Sequence, residues 1–219
     1  METTSNHALL MDRIYRFQRY IYDLTRKYYL LGRDRLIRQM RIEPGERILE
    51  IGCGTARNLI LMARRHPQVR FYGLDASKEM LITAEAKVKR AGLEDRIALR
   101  QCLAEELDAK KTFDLDAPFD GIFFSYSLSM IPAWKEALQT AFEQLQPDGK
   151  LAIVDFCDQQ DLPRWFRKIL AAWLFWFHVR RDPALLNFLP ILSNREQAKL
   201  QIEYLYKRYA FMATITKQN

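Results

Sequence analysis

Between Arg47 and Phe156 the chain alternates short apolar runs with longer stretches whose apolar residues recur every three or four positions. That alternation narrows the fold more than any other feature. Strands that follow one another through helices at this spacing pair side by side and parallel in one sheet. The spacing predicts strands over Arg47–Ile51, Val69–Leu74, Arg96–Gln101, Gly121–Ser125 and Leu151–Phe156. Helices are predicted over Ala56–Arg65, Ser77–Arg90 (stopped by Gly92) and Ala133–Leu145. Pro147-Asp148-Gly149 reads as a turn leading into the fifth strand. Near the end, Gln201–Tyr206 and Tyr209–Thr216 form two strand-like runs joined across Lys207-Arg208, the pattern of an antiparallel edge pair. The expected class is α/β, a mostly parallel doubly wound sheet closed by that pair.

The flanking segments read differently. Leu10, Ile14, Phe17, Ile21, Leu24, Tyr28 and Leu31 step by three and four, one face of a long helix that Gly32 interrupts before a second helix over Arg33–Met40. A Trp-rich helical stretch runs over Leu162–Arg181. The expected organisation is an N-terminal helical extension (1–41), a core (42–160), a helical insertion (161–200) and closing strands (201–219). With 219 residues, 49% of them apolar, the chain has enough material for one sizeable core. Three scattered cysteines and three isolated histidines give no metal motif, and the odd thiol count with no apolar leader points to the cytoplasm. The longest apolar run, Ile169–Val179, covers 11 residues broken only by His178, against the about 20 that span a bilayer. Residues 1–41 hold nine Lys/Arg against four Asp/Glu, and 42–160 hold 15 against 19. Residues 161–183 and 184–219 each hold five against two, so the basic excess lies outside the core. Such an excess suits nucleic acid, anionic lipid or plain water.

The first core strand ends in Leu49-Glu50-Ile51-Gly52-Cys53-Gly54-Thr55-Ala56, and the next in Gly73-Leu74-Asp75. Two glycines after a strand and before a helix let the backbone turn sharply and approach a ligand closely. An acid at the end of the second strand is placed to accept hydrogen bonds from the hydroxyls of an adenosine ribose. Dinucleotide binding wants a third glycine where this chain has Arg57, and Glu50 would repel a pyrophosphate. The same carboxylate favours S-adenosylmethionine, which carries an ammonium and a sulfonium.

This stretch resembles the class I S-adenosylmethionine-dependent methyltransferases, whose first motif is an acid followed by Gly-x-Gly-x-Gly; here Ala56 stands at the third glycine. The resemblance covers roughly residues 45–156 and implies a Rossmann-like class I methyltransferase fold. It implies a cofactor site of Glu50, Gly52, Cys53, Gly54, Asp75, Ala76, Met80, Ala104, Glu105 and Ser125, with Met80 against adenine. Leu103 replaces the acid often found before the Ala at position 104. Four stretches are similar to a narrower family, the bacterial diacylglyceryl-homoserine N-methyltransferases of betaine-lipid synthesis. They are Met11–Gln18, Tyr22–Asp34, Ser125–Pro132 and Val154–Gln159. That similarity implies three successive methylations of a lipid headgroup amine, with Tyr22, Tyr28 and Arg33 near the acceptor.

The chemistry is in-line displacement at the sulfonium methyl, for which positioning of a neutral amine dominates. Tyr126 and Asp155 follow or end adjacent strands at the carboxyl side of the sheet, where ligands bind. Tyr126 is the expected amine-orienting group and Asp155 a second catalytic candidate, a loop hydrogen bond being the other reading of Asp155. Trp165, Phe166, Ile169, Leu170, Trp173, Trp176 and Phe177 with flanking Arg and Lys suit a peripheral contact with an anionic membrane, or cover for the sheet or a homodimer partner. Phosphatidylethanolamine or another small amine is the alternative acceptor. A non-catalytic subunit that binds S-adenosylmethionine is the alternative of another class. No nucleic-acid partner is expected, since Ser-Tyr-Ser stands where an RNA enzyme would carry an Asn-Pro-Pro-Tyr-like motif.

Overall fold

A computed structural model describes residues 30–176, 182 and 184–218. Tyr22, Tyr28 and most of the expected first helix lie outside the described residues, as do 177–181. Seven strands form one sheet: β1 (Arg47–Ile51), β2 (Arg70–Asp75), β3 (Ile97–Gln101), β4 (Phe119–Ser125), β5 (Leu145–Phe156), β6 (Lys199–Leu205) and β7 (Ala210–Thr216). Their order is β3-β2-β1-β4-β5-β7-β6. The first five are parallel neighbours, while β7 runs antiparallel to both β5 and β6. The chain reverses its direction of winding between β1 and β4, so a crevice opens at their carboxyl ends.

Alternate residues along the central strands feed two cores, as the period of two requires. On one face Ile48, Phe71, Phe123, Ala152, Val154 and Met212 meet the helices α1 (Arg33–Gln39), α2 (Arg57–Arg65) and α3 (Lys78–Arg90). On the other, Leu49, Ile51, Tyr72, Ile122, Phe124, Ile153 and Phe211 meet α4 (Ala109–Phe113), α5 (Trp134–Glu143) and α7 (Ala184–Arg195). The helix α6 (Arg164–Trp176) joins the first core through Leu170.

Two local expectations change. Pro147-Asp148-Gly149 does not precede β5 but sits inside it, as a bulge between the pairs Phe119–Leu145 and Gly121–Lys150. Asp148 takes a left-handed φ of 61°, and its N–H donates to Lys217 O, which keeps the ladder joined across the bulge. The short α4 is unforeseen; Asp108 caps it by accepting from Lys111 N at 2.9 Å. Among the described residues, no helix is long and apolar enough to cross a membrane.

Candidate functional site

The loop after β1 is shaped by three left-handed residues at alternate positions: Gly52 (φ 74°), Gly54 (φ 53°) and Ala56 (φ 59°). A side chain there costs about 1–2 kcal/mol, which Ala56 sustains as a fully buried residue at the start of α2. Gly52 has no such latitude: a Cβ on it would lie 2.4 Å from Ser127 Cβ. The loop is tied to the end of β2. Gly52 N and Cys53 N donate to Leu74 O at 2.7 and 3.0 Å, and Gly54 N donates to Asp75 Oδ2 at 2.7 Å. Asp75 Oδ1 also accepts from Ser77 N at 2.9 Å, and the Ser77 hydroxyl caps α3 by accepting from Met80 N.

These ties build a cavity bordered by Gly52, Gly54, Asp75, Ala76, Met80, Ala104 and Glu105, all expected from the sequence. Ile51, Leu74, Cys102, Leu103, Tyr126, Ser127 and Met130–Pro132 complete its wall. Asp75 accepts from the Gly54 and Ser77 backbone donors and borders the cavity, where a carboxylate can accept from the hydroxyls of a ribose diol. Apolar Leu74, Met80, Leu103 and Ile131 offer flat contact to a purine.

A second cavity of about 160 Å³ shares Gly52 and holds the other expected residues, Glu50, Cys53, Ser125 and Arg33, with Leu30, Thr55, Arg57, Asn58 and Lys87. Glu50 is 2% exposed, and its Oε1 accepts from Asn58 Nδ2 at 2.6 Å. Arg33, buried in the first turn of α1, brings a cation to the same hollow. The Ser125 hydroxyl is buried there and has no hydrogen-bond partner among the described residues; leaving such a group unmade costs about 1–3 kcal/mol. A carboxylate, a guanidinium and an orphaned hydroxyl in one hollow match the ammonium and carboxylate of an amino acid. The two cavities, which share Gly52 in their walls, thus fit S-adenosylmethionine, adenosine in the first and the methionyl end in the second. Burial pushes the Cys53 thiol well above its ordinary pKa, with Asp75 and Glu50 adding to the effect, so it stays a neutral wall group.

Tyr126 and Asp155 each make contacts that tie neighbouring segments together. Tyr126 borders the first cavity, yet its hydroxyl donates to Leu31 O and its ring stands edge-on to Phe156 at 4.7 Å. Burial, then Tyr209 and Asp155, drive that hydroxyl well above the usual tyrosine pKa, so it remains a fixed donor to backbone. Asp155, 1% exposed, accepts from Ser129 N at 3.0 Å and Phe156 N at 2.7 Å and borders neither cavity. Its carboxyl is raised to about 6 by burial, against the lowering pull of those backbone donors. Both contacts fix the position of neighbouring segments. Tyr126 anchors the segment before α1, and Asp155 holds the 3-10 turn Leu128–Met130, whose Met130 borders the cavity. Asn58 escaped the sequence reading; its signal was a polar residue in the first turn of the helix that follows the glycine loop.

A family model described as a methyltransferase domain matches residues 42–203. Demethylmenaquinone methyltransferase of Listeria welshimeri is 31% identical over 140 residues, which are 64% of this chain and 56% of that protein. The 27-O-demethylrifamycin SV methyltransferase of Amycolatopsis mediterranei is 31% identical over 123 residues, 56% of this chain and 43% of that one. The chain thus spans only about half the length of these relatives. Two solved structures share the fold. A SAM dependent methyltransferase from Aquifex aeolicus has a TM-score of 0.62 at 14% identity, covering 88% of this chain and 93% of that one. The YcgJ protein from Bacillus subtilis has a TM-score of 0.66 at 18% identity, covering 86% and 98%. With the strand order, the glycine loop and the Asp75 pocket already in place, the match settles the family: the chain belongs to the methyltransferase-domain family, in the class I group whose cofactor is S-adenosylmethionine.

Proposed function

We propose that the chain is an S-adenosylmethionine-dependent N-methyltransferase that adds three methyl groups to the amine of diacylglyceryl-homoserine, giving diacylglyceryl-N,N,N-trimethylhomoserine. The reading is carried by one juxtaposition. Two of the stretches similar to the betaine-lipid family line the cavities through Leu30 and Arg33 and through Ser125–Ser127 and Met130–Pro132, and a third is tied to them from behind: Tyr126 donates to Leu31 O, and Asp155 accepts from Ser129 N. Bound at Asp75 and Glu50, S-adenosylmethionine supplies an electrophilic methyl carbon. Each transfer would require the acceptor ammonium first to lose a proton to solvent; its freed lone pair would then form the C–N bond while the C–S electron pair leaves with sulfur as S-adenosylhomocysteine, and the third transfer would end at a quaternary nitrogen with no proton left to lose. The wall formed by Tyr126, Met130, Ile131 and Pro132 excludes water and presents aromatic and apolar surface. Such surface tolerates each added methyl, and an aromatic face attracts the growing methylammonium.

The relatives named for demethylmenaquinone support a second reading, a quinone acceptor. Purified protein with S-adenosylmethionine and either diacylglyceryl-homoserine, phosphatidylethanolamine or demethylmenaquinone separates the readings by product mass spectrometry. Mono-, di- and trimethylated homoserine lipid is the expected outcome. Turnover of either other acceptor with homoserine lipid untouched would overturn the named substrate.

A further inference from the structure

The exposed face of α6 has a pattern that the cofactor and acceptor chemistry does not use. Leu170 is buried, and Arg167 and Ala171 are half-buried, which fixes the inner side. On the outer side Arg164, Trp165, Lys168, Ile169 and Ala172 are exposed, two i,i+4 pairs and a further turn that form one stripe. Trp165 is 66% exposed and Ile169 62%, large apolar groups set beside two cations. No acidic residue lies between Asp161 and Asp182, and five Lys/Arg do. Indole at headgroup level with basic groups on lipid phosphates is the chemistry of an interfacial helix.

Its place in the fold adds to this. The helix follows the carboxyl end of β5, the side of the sheet on which the cofactor loops lie. Beyond its far end Asp182 Oδ2 accepts from Trp134 Nε1 at 3.1 Å, two residues past Pro132 of the cavity wall.

We propose that the outer face of α6 is a docking surface for an anionic bilayer, with the helix lying along the headgroups beside the cavity wall. The surface is argued from α6 alone and stands whichever acceptor the site takes.

The test uses the full chain with vesicles of phosphatidylcholine, with and without phosphatidylglycerol, and with no acceptor lipid. Co-sedimentation is expected with the anionic vesicles and should decline with salt, because exposed charges are screened within about 10 Å at 0.1 M. Trp165→Ala with Ile169→Ala should weaken partitioning at least about 10-fold. Arg164→Glu with Lys168→Glu should remove the preference for phosphatidylglycerol. Unchanged S-adenosylhomocysteine binding in these variants shows that they are folded. The proposal is overturned if the parent protein stays in the supernatant, if the apolar variant sediments like the parent, or if that variant instead converts a dimer to a monomer. Methylation of acceptors dispersed in detergent is scored separately. A homoserine lipid left untouched there, with vesicle binding intact, removes the acceptor reading and leaves the docking surface standing.

Discussion

Asp75 satisfies two backbone N–H groups of the cofactor loops and still faces the cavity. Asp75→Ala is therefore expected to weaken S-adenosylhomocysteine binding by about 1–3 kcal/mol, the cost of charge-assisted bonds left unmade; calorimetric titration measures it. Asp155 poses the opposite situation, a buried carboxyl whose surroundings favour the neutral form. Its folded pKa of about 6 exceeds the unfolded value, so between these the folded state holds the proton more tightly. The stability it contributes is full below about pH 4 and is lost as pH rises through about 6, by roughly 2–3 kcal/mol in all. Chemical denaturation at several pH values, for the parent and Asp155→Asn, reads this as a difference of slopes. The carboxyls of Asp34 and Asp158, lowered through hydrogen bonds to Arg57 and Arg208 respectively, work in the other direction and cancel in that difference. Tyr126→Phe removes the donor to Leu31 O and should lower kcat/KM alike for the first, second and third transfers. A block confined to the first transfer would return the hydroxyl to the acceptor.

The glycine loop shows how far local sequence reaches. Gly52→Ala drives a Cβ to 2.4 Å from Ser127 Cβ at a φ of 74°, so it should destabilise the fold and abolish S-adenosylhomocysteine binding. Adding Ser127→Gly relieves the clash but not the φ, so thermal melting should show partial recovery only. The elements β1 to β5 and the acids at their ends were legible because each is written in a few neighbouring residues: apolar runs, glycine spacing, a carboxylate at a strand end. The hydrogen bonds of Tyr126 and Asp155 were not. Their partners, Leu31 and Ser129, lie 95 and 26 positions away in the chain, and only the assembled sheet brings them into reach. The bulge in β5 was misread for the same reason, since a Pro-Asp-Gly turn looks identical whether the ladder resumes on both sides or on one. The cofactor residues divided into two hollows because Glu50 and Ile51, consecutive in β1, point to opposite faces of the sheet.

At the scale of the molecule, one sheet gathers its ligand-binding loops at one end and leaves α6 beside them. Its most consequential pairing is that of β7, the seventh strand along the chain yet an inner strand in space, bonded at seven positions to β5 and seven to β6. Removing residues 210–216 should abolish cooperative unfolding, as followed by near-ultraviolet circular dichroism, because the Phe211, Ala213 and Ile215 side chains complete the second core. Synthesis on a ribosome adds a temporal meaning to this order. Every parallel strand emerges before the strand that seals β5, so the nascent chain waits with the open edge of β5 available to other chains. Translation of the 53 residues between Phe156 and Ala210 sets how long that unpaired strand edge stays open.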